Sequence, residues 1–442
     1  MSSVARMTTT TDTPARTTPR PPLLSRPLLL RFVSMIGASA SFFLLLSVVP
    51  AYAAETGGGS AAGLATGSLM LATVLGELAT PRLVARHGYR ATLMAGLFLL
   101  GAPALVLTVS GNTAWIVAVC LVRGLGFALT IVAGGALTAM LIPAERRGEG
   151  LALVGVVSGV PSLITLPLGM WLAGRTGYGP VAVIGGAVSL AAIVPVLGLP
   201  GSGGQSAKSR RPDNSRRSSG SGQSNSGRRP TETEAPQDSQ PPLGVLRGLR
   251  TGPLLRLVLV FAATATATGI LVTFLPLAVP AASSGVVAVA LFVQPAASTV
   301  SRWLAGRHGD RHGSARLVLP GLLLSAVGVL LTAATGSPLA VLAGTALFGT
   351  GFGITQNATL TLMYARVSAS SYGTVSALWN LAYDGGMGVG AAGFGVLAAL
   401  TGYPWAFAAT ALLMLGALAP VLRDRHHISS PRLPRSPGAG PR

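Results

Sequence analysis

Charged side chains set inside long apolar runs are the groups in this sequence best placed to do chemistry. Of its 12 acidic residues, two fall within such runs, Glu77 and Asp384. Among its 32 basic residues Arg123 lies deepest, nine residues beyond Ala114, about 13 Å along a helix rising 1.5 Å per residue. If those runs cross a bilayer, each such charge costs about 2.5–3.5 kcal/mol on insertion scales and calls for a partner or a task. For Arg123 two readings stand. It faces a cavity, binding an anionic group or setting the ionisation of a carboxylate, or it ties its helix to carbonyls of neighbouring helices. Asp384 divides in the same way, between a proton carrier and a structural carboxyl bonded to another helix. Ser376, Asn380 and Asp384 follow at i, i+4 and i+8, a single polar stripe on a helix face.

Other polar groups in the runs are neutral. Gln356 and Asn357 can hydrogen-bond a small molecule or act as interhelical glue. Ser39, Thr264 and Thr268 carry hydroxyls that often satisfy the helix backbone itself. The five histidines fall in loops or in the C-terminal tail, which argues against a histidine proton relay. No Cys/His metal cluster, phosphate-cradling Gly-Lys-Ser/Thr loop or other enzyme signature is found, so neither cofactor nor metal is expected. The single Cys120 sits in an apolar run and excludes an intramolecular disulfide framework.

The elements that must position these residues follow from composition. The chain is 50% hydrophobic and 10% charged, with mean hydropathy +0.60. Soluble domains carry about 25% charge, so this chain belongs in a membrane. Six apolar runs, at about 28–52, 59–80, 91–110, 114–142, 150–173 and 178–199, are long enough to span about 30 Å of hydrocarbon. Six more follow at about 253–279, 285–305, 315–335, 338–365, 373–400 and 403–422. The expected fold is all-α and integral to the membrane, with twelve spans. Residues 1–26 read as a disordered tail, 27–200 as one six-helix half, 201–250 as a basic flexible linker, 251–423 as the second half and 424–442 as another tail. Ala51-Tyr52-Ala53 imitates a signal-peptidase site, but the run is too long for a cleaved signal and is read as a retained first helix.

Arginine placement sets the orientation. With the N-terminus inside, cytoplasmic segments collect Arg82, Arg86, Arg90, Arg146, Arg147, nine residues from Lys208 to Arg250, then Arg302, Arg307, Arg311, Arg316 and both tails. The other side keeps Arg175. Both termini are therefore expected in the cytoplasm, and the bias to arginine (31 of the 32 basic residues), with 58 glycines and much alanine, points to a bacterial plasma membrane. The net charge of +20 belongs to topology, with anionic lipid headgroups as a contact for the linker, and not to nucleic-acid binding.

The two halves repeat at an offset of 225. Arg31 maps to Arg256, Gly88 to Gly313 and Gly96-Leu97 to Gly321-Leu322. Gly124, Gly126, Phe127 and Thr130 map to Gly349, Gly351, Phe352 and Thr355, and Thr176-Gly177-Tyr178 to Thr401-Gly402-Tyr403. Six spans per half make the repeats parallel, two bundles facing one another across a central cavity in which alternating access would operate. Glu77 and Arg302 occupy equivalent positions with opposite charges, which suggests a cytoplasmic gate latch.

On these residues the sequence resembles the major facilitator superfamily. That family's loop signature, roughly Gly-x-Leu-Ala-Asp-Arg-x-Gly-Arg-Arg, is matched after helix 8 at Gly306, Asp310, Arg311 and Gly313. Its first copy keeps Leu83, Arg86, Gly88 and Arg90 but has Pro81 and Ala85 in place of the Gly and Asp. Arg123-Gly124-Leu125-Gly126 is similar to the helix 4 signature of proton-coupled exporters, and Gly155, Gly159 and Pro161 hint at the helix 5 one. The resemblance, strongest to bacterial drug or sugar efflux permeases, implies a monomeric secondary transporter exporting a small amphipathic molecule against protons. An importer or facilitator of a polar solute, and a transporter-like sensor or scaffold, are the other functions left open.

Overall fold

The computed structural model describes residues 24–143, 146–199, 245–368 and 371–417. The tails and most of the linker expected from the sequence lie outside these residues. Every regular element among the described residues is helical. Twelve long helices run in order. They are α1 (26–57), α2 (59–87), α3 (89–105), α4 (Thr113–Leu141), α5 (Arg147–Thr176), α6 (Tyr178–Ala191, continued by Ile193–Leu197), α7 (Gly252–Ala278), α8 (Ser284–His312), α9 (Ala315–Thr332), α10 (Pro338–Tyr364), α11 (Tyr372–Thr401) and α12 (Tyr403–Gly416). A short helix, Val245–Arg250, precedes α7.

Local chemistry marks the helix ends. Ser25, Asn112 and Ser337 cap α1, α4 and α10, each side-chain oxygen accepting from a backbone N–H of the first turn. Glycines in the left-handed region turn the chain where one helix leaves and the next begins. Gly88 (φ 80°) and Gly313 (φ 88°) follow α2 and α8; Gly177 (φ 80°) and Gly402 (φ 82°) follow α5 and α11. These are two pairs at the 225 offset, and a Cβ at any of them would strain the turn.

The repeat extends from sequence to contact. A Cβ on Gly124 of α4 would strike the Leu69 carbonyl of α2, and its equivalent on Gly349 of α10 would strike the Gln294 carbonyl of α8. Gly126 likewise closes on Gly96 and Leu100 of α3, as Gly351 closes on Gly321 and Ser325 of α9. Backbones approach this closely only where side chains are absent, which is how helices associate when lipid supplies no hydrophobic drive.

The halves meet along two kinds of contact. Near the axis Ser47 Oγ donates to the Val272 carbonyl at 2.8 Å, residues separated by 225, so α1 and α7 cross at equivalent positions. Thr66 and Thr273 hydroxyls share a hydrogen bond of 2.9 Å between α2 and α7. Around the axis α2 and α11 run antiparallel as a seam of small residues, with Gly59 against Gly395, Gly63 against Ala391 and Gly67 against Ala392. One buried apolar cluster joins both halves here, taking in Leu46, Val49 and Leu166 with Val272, Leu275 and Leu291. The halves are thus sealed by a packed layer on the side away from the arginine-rich loops.

Candidate functional site: a cavity between the two halves

From that seal toward the arginine-rich end, the halves part around a cavity of about 500 Å³. Eight helices line it, among them α1 through Ser39 and Phe43, α5 through Ser158 and Ser162, and α11 through Trp379, Asn380, Tyr383 and Asp384. A Cβ added at Gly155 or Gly159 on its wall would meet nothing within 4 Å. Phe127, Phe352, Trp379 and Tyr383 give it aromatic faces; Gln294, Gln356 and Asn380 give it amides. Behind these the rings are themselves braced, with Trp379 stacked on Phe261 at 4.6 Å and Tyr383 beside Phe352 at 6.1 Å between centroids.

Three charged residues face this space, Glu77 from α2, Arg302 from α8 and Asp384 from α11. Asp384 is buried to 7% exposure, whereas Arg302 is exposed. The carboxyls of Glu77 and Asp384 lie within hydrogen-bonding reach of one another, one from each half. Helical side chains lean toward their own N-terminus. On antiparallel helices, Glu77 therefore leans away from the loops and Asp384 toward them, and the two converge.

The structure brings together Asp384, Asn380, Gln356, Glu77 and Arg302, and separates others expected beside them. Arg123 does not face the cavity. It is 1% exposed between the helices of its own half, where Nε donates to the Leu100 carbonyl of α3 at 3.3 Å and a narrow void lined by Leu45, Thr66 and Cys120 adjoins it. Helix rotation decides this, because the Gly124 and Gly126 contacts turn that face of α4 onto α2 and α3. Asn357, one residue from Gln356 and so about 100° around the helix, instead packs on Gly306 of α8. Ser376 drops out of the α11 stripe, its Oγ bonding the Tyr364 hydroxyl at 2.7 Å. The expected Glu77–Arg302 latch is not made in this conformation. Glu77 meets Asp384, while Arg302 shares the cavity lining with the neutral phenol of Tyr383.

Gln294, Tyr383 and Trp379 were not singled out by sequence. Gln294 carried a usable signal, a lone amide mid-run whose repeat equivalent is Leu69. The loop-signature residues Arg86, Gly88 and Arg90, and Gly306, Asp310, Arg311 and Gly313, lie at the arginine-rich ends of α2–α3 and α8–α9, away from the cavity lining. Gly309 there closes on Ser314, and Arg307 lies 4.8 Å over the Trp303 ring. At the opposite face a separate cavity of about 950 Å³ also lies between the halves, lined by Glu55, Trp171, Arg175 and Tyr178 of one and Pro276, Val279 and Val287 of the other, with Arg175 stacked 4.0 Å over Trp171.

Two parallel six-helix repeats, sealed at one end and parted around a polar cavity at the other, define a polytopic membrane transporter. The sequence profile of the Major Facilitator Superfamily matches residues 31–391 and again 281–441. The chain belongs to that superfamily, and with it to the secondary transporters. No curated protein matches it in sequence. Among solved structures it is similar to the nucleoside transporter NupG (TM-score 0.66, 13% identity, 92% of this chain and 100% of that one). It is also similar to a bacterial homologue of the human lysosomal transporter Spinster, solved inward-facing and unoccupied (TM-score 0.65, 14% identity, 92% and 98%). At these identities the likeness is one of fold.

Proposed function

We propose that this protein is a proton-coupled exporter of a small amphipathic molecule, a drug or sugar-like metabolite, in a bacterial plasma membrane. Its basic ends and both termini face the cytoplasm, as the positive-inside distribution of arginine argues, and the conformation described is the inward-facing one. One observation carries the reading. A single cavity between the halves holds both membrane-embedded carboxyls together with amides and aromatic faces. Rings and amides suit a ligand with a flat apolar part and a few hydrogen-bonding groups. Asp384 is assigned as the proton-binding group, and Gln356 and Asn380 as substrate contacts. Export over import rests on the efflux-permease resemblance of the loop and helix 4 motifs.

The test is a substrate-panel efflux assay in cells stripped of their own pumps, at two external pH values, followed by Asp384→Asn in everted vesicles. Efflux that collapses with the proton gradient, and that the Asn variant abolishes, is expected. Flux indifferent to the gradient would overturn proton coupling and make the protein a facilitator.

A further inference from the structure

The carboxyl pair does something that neither residue does alone, because it joins the two halves. Glu77 belongs to α2 and Asp384 to α11. Ionised carboxyl groups only accept hydrogen bonds, so two of them can share one only while a proton sits between them. The pair also has a particular place in the fold. The α2/α11 seam descends through Gly59–Gly395, Gly63–Ala391, Gly67–Ala392 and Met70–Gly388. Glu77 and Asp384 form the next contact, at the point where the seam ends and the cavity opens.

The repeat sharpens the contrast. Adding 225 to Glu77 gives Arg302, and subtracting it from Asp384 gives Gly159. On the second side of the cavity, between α5 and α8, the equivalent positions are thus a cation and a residue with no side chain. All four line the same cavity. The titratable and charged groups facing the pair are Arg302 from α8 and Tyr383 from α11. The lining residues of α1, α4, α5, α7 and α10 are neutral there, among them Ser39, Phe127, Ser158, Thr268 and Gln356.

We propose that Glu77 and Asp384 form a one-proton clamp between the halves, with Arg302 as the counter-charge that takes up the freed carboxylate when the proton leaves. With the proton in place, the cavity charges sum to zero (one carboxylate, one guanidinium) and the seam stays closed to its end. Without it, two like charges face each other across the seam, and α2 and α11 part. Proton release is thereby converted into loosening of the seal on the far side of the membrane. This rests on the proton-coupled reading, but its test reads conformation with no substrate present, so the two can fail separately.

The seam is reported by Thr66→Cys in a Cys120→Ser background, since Thr66 is 1% exposed and lies on the sealed side. Labelling with a membrane-impermeant maleimide is normalised at each pH to Gly336→Cys, which is exposed with open space around it. Raising the pH from 5.5 to 9, about 3.5 decades of proton activity, should increase labelling by about tenfold, as loss of a charge-assisted hydrogen bond implies. Glu77→Gln, whose amide donates to Asp384 without titrating, should hold labelling at the low-pH level throughout. Glu77→Ala should hold it high throughout, and Arg302→Gln should suppress the high-pH rise. Equal pH dependence in wild type and Glu77→Gln, with both variants folded by thermal unfolding, would overturn the clamp. A clamp that titrates in a protein whose transport ignores pH would instead overturn the proton-coupled function and leave the clamp standing.

Discussion

Gly63 offers the most direct access to the conformational balance of the two halves. A Cβ there would lie 2.5 Å from the Ala391 carbonyl oxygen and 3.3 Å from its carbon, where ordinary contact begins at 3.4 Å. The obstacle is backbone, which cannot swing aside, so α2 and α11 must separate by about 1 Å to admit one methyl group. Overpacking of this kind costs about 1–3 kcal/mol. Under the proposed transport cycle that cost falls on the sealed conformation alone, since alternating access would separate these helices at that end in the other state. Gly63→Ala should therefore shift the population away from the sealed state by about 5–150-fold. Thr66→Cys, with Cys120→Ser, reads this as faster labelling from the opposite face. Gly393→Ala on α11 is the control, since a Cβ there meets nothing within 4 Å. Should Gly63→Ala label no faster than Gly393→Ala while melting at a lower temperature, the seam would be static packing and the argument from alternating access would fail.

Two further outcomes follow from the same geometry. Gly134→Ala would drive a methyl into the Arg31 guanidinium, which donates from Nε to the Gly134 carbonyl at 3.2 Å. Losing that bond should cost about 1.5–3 kcal/mol, visible as a lower melting temperature in detergent, whereas Gly135→Ala, with open space around it, should melt as the wild type does. Gln356→Ala should raise KM for a transported substrate about 2–10-fold, the worth of one hydrogen bond of about 0.5–1.5 kcal/mol. Asn357→Ala, packed on Gly306 outside the cavity, should leave KM unchanged; equal shifts in the two would refute the division of these neighbours.

The architecture was readable in the sequence because it rests on one-dimensional quantities. Run length decides what can span a bilayer, and a constant offset of 225 survives wherever two halves share a fold. Gly88 with Gly313, and Gly177 with Gly402, were legible as repeat pairs, and the structure adds the reason, a left-handed turn between helices at both copies. Residues that belong to a bilayer-embedded face were legible only as candidates. Charge inside an apolar run says that a residue needs a partner, not which one.

Tertiary structure made those choices through helix rotation and helix pairing. Arg123 looked as able to line a cavity as Asp384, yet close glycine packing turns its face of α4 inward to its own half, where a carbonyl of α3 receives it. Gln356 and Asn357 are indistinguishable in sequence and stand about 100° apart on the helix, so one reaches the cavity and the other α8. The offset made Glu77 and Arg302 look like partners, because it relates equivalent positions. Adjacency in space follows a different rule, the antiparallel seam of α2 on α11, and it is this that sets Glu77 against Asp384. Equivalence under a repeat is written in the chain; contact between halves is decided only when the helices pack.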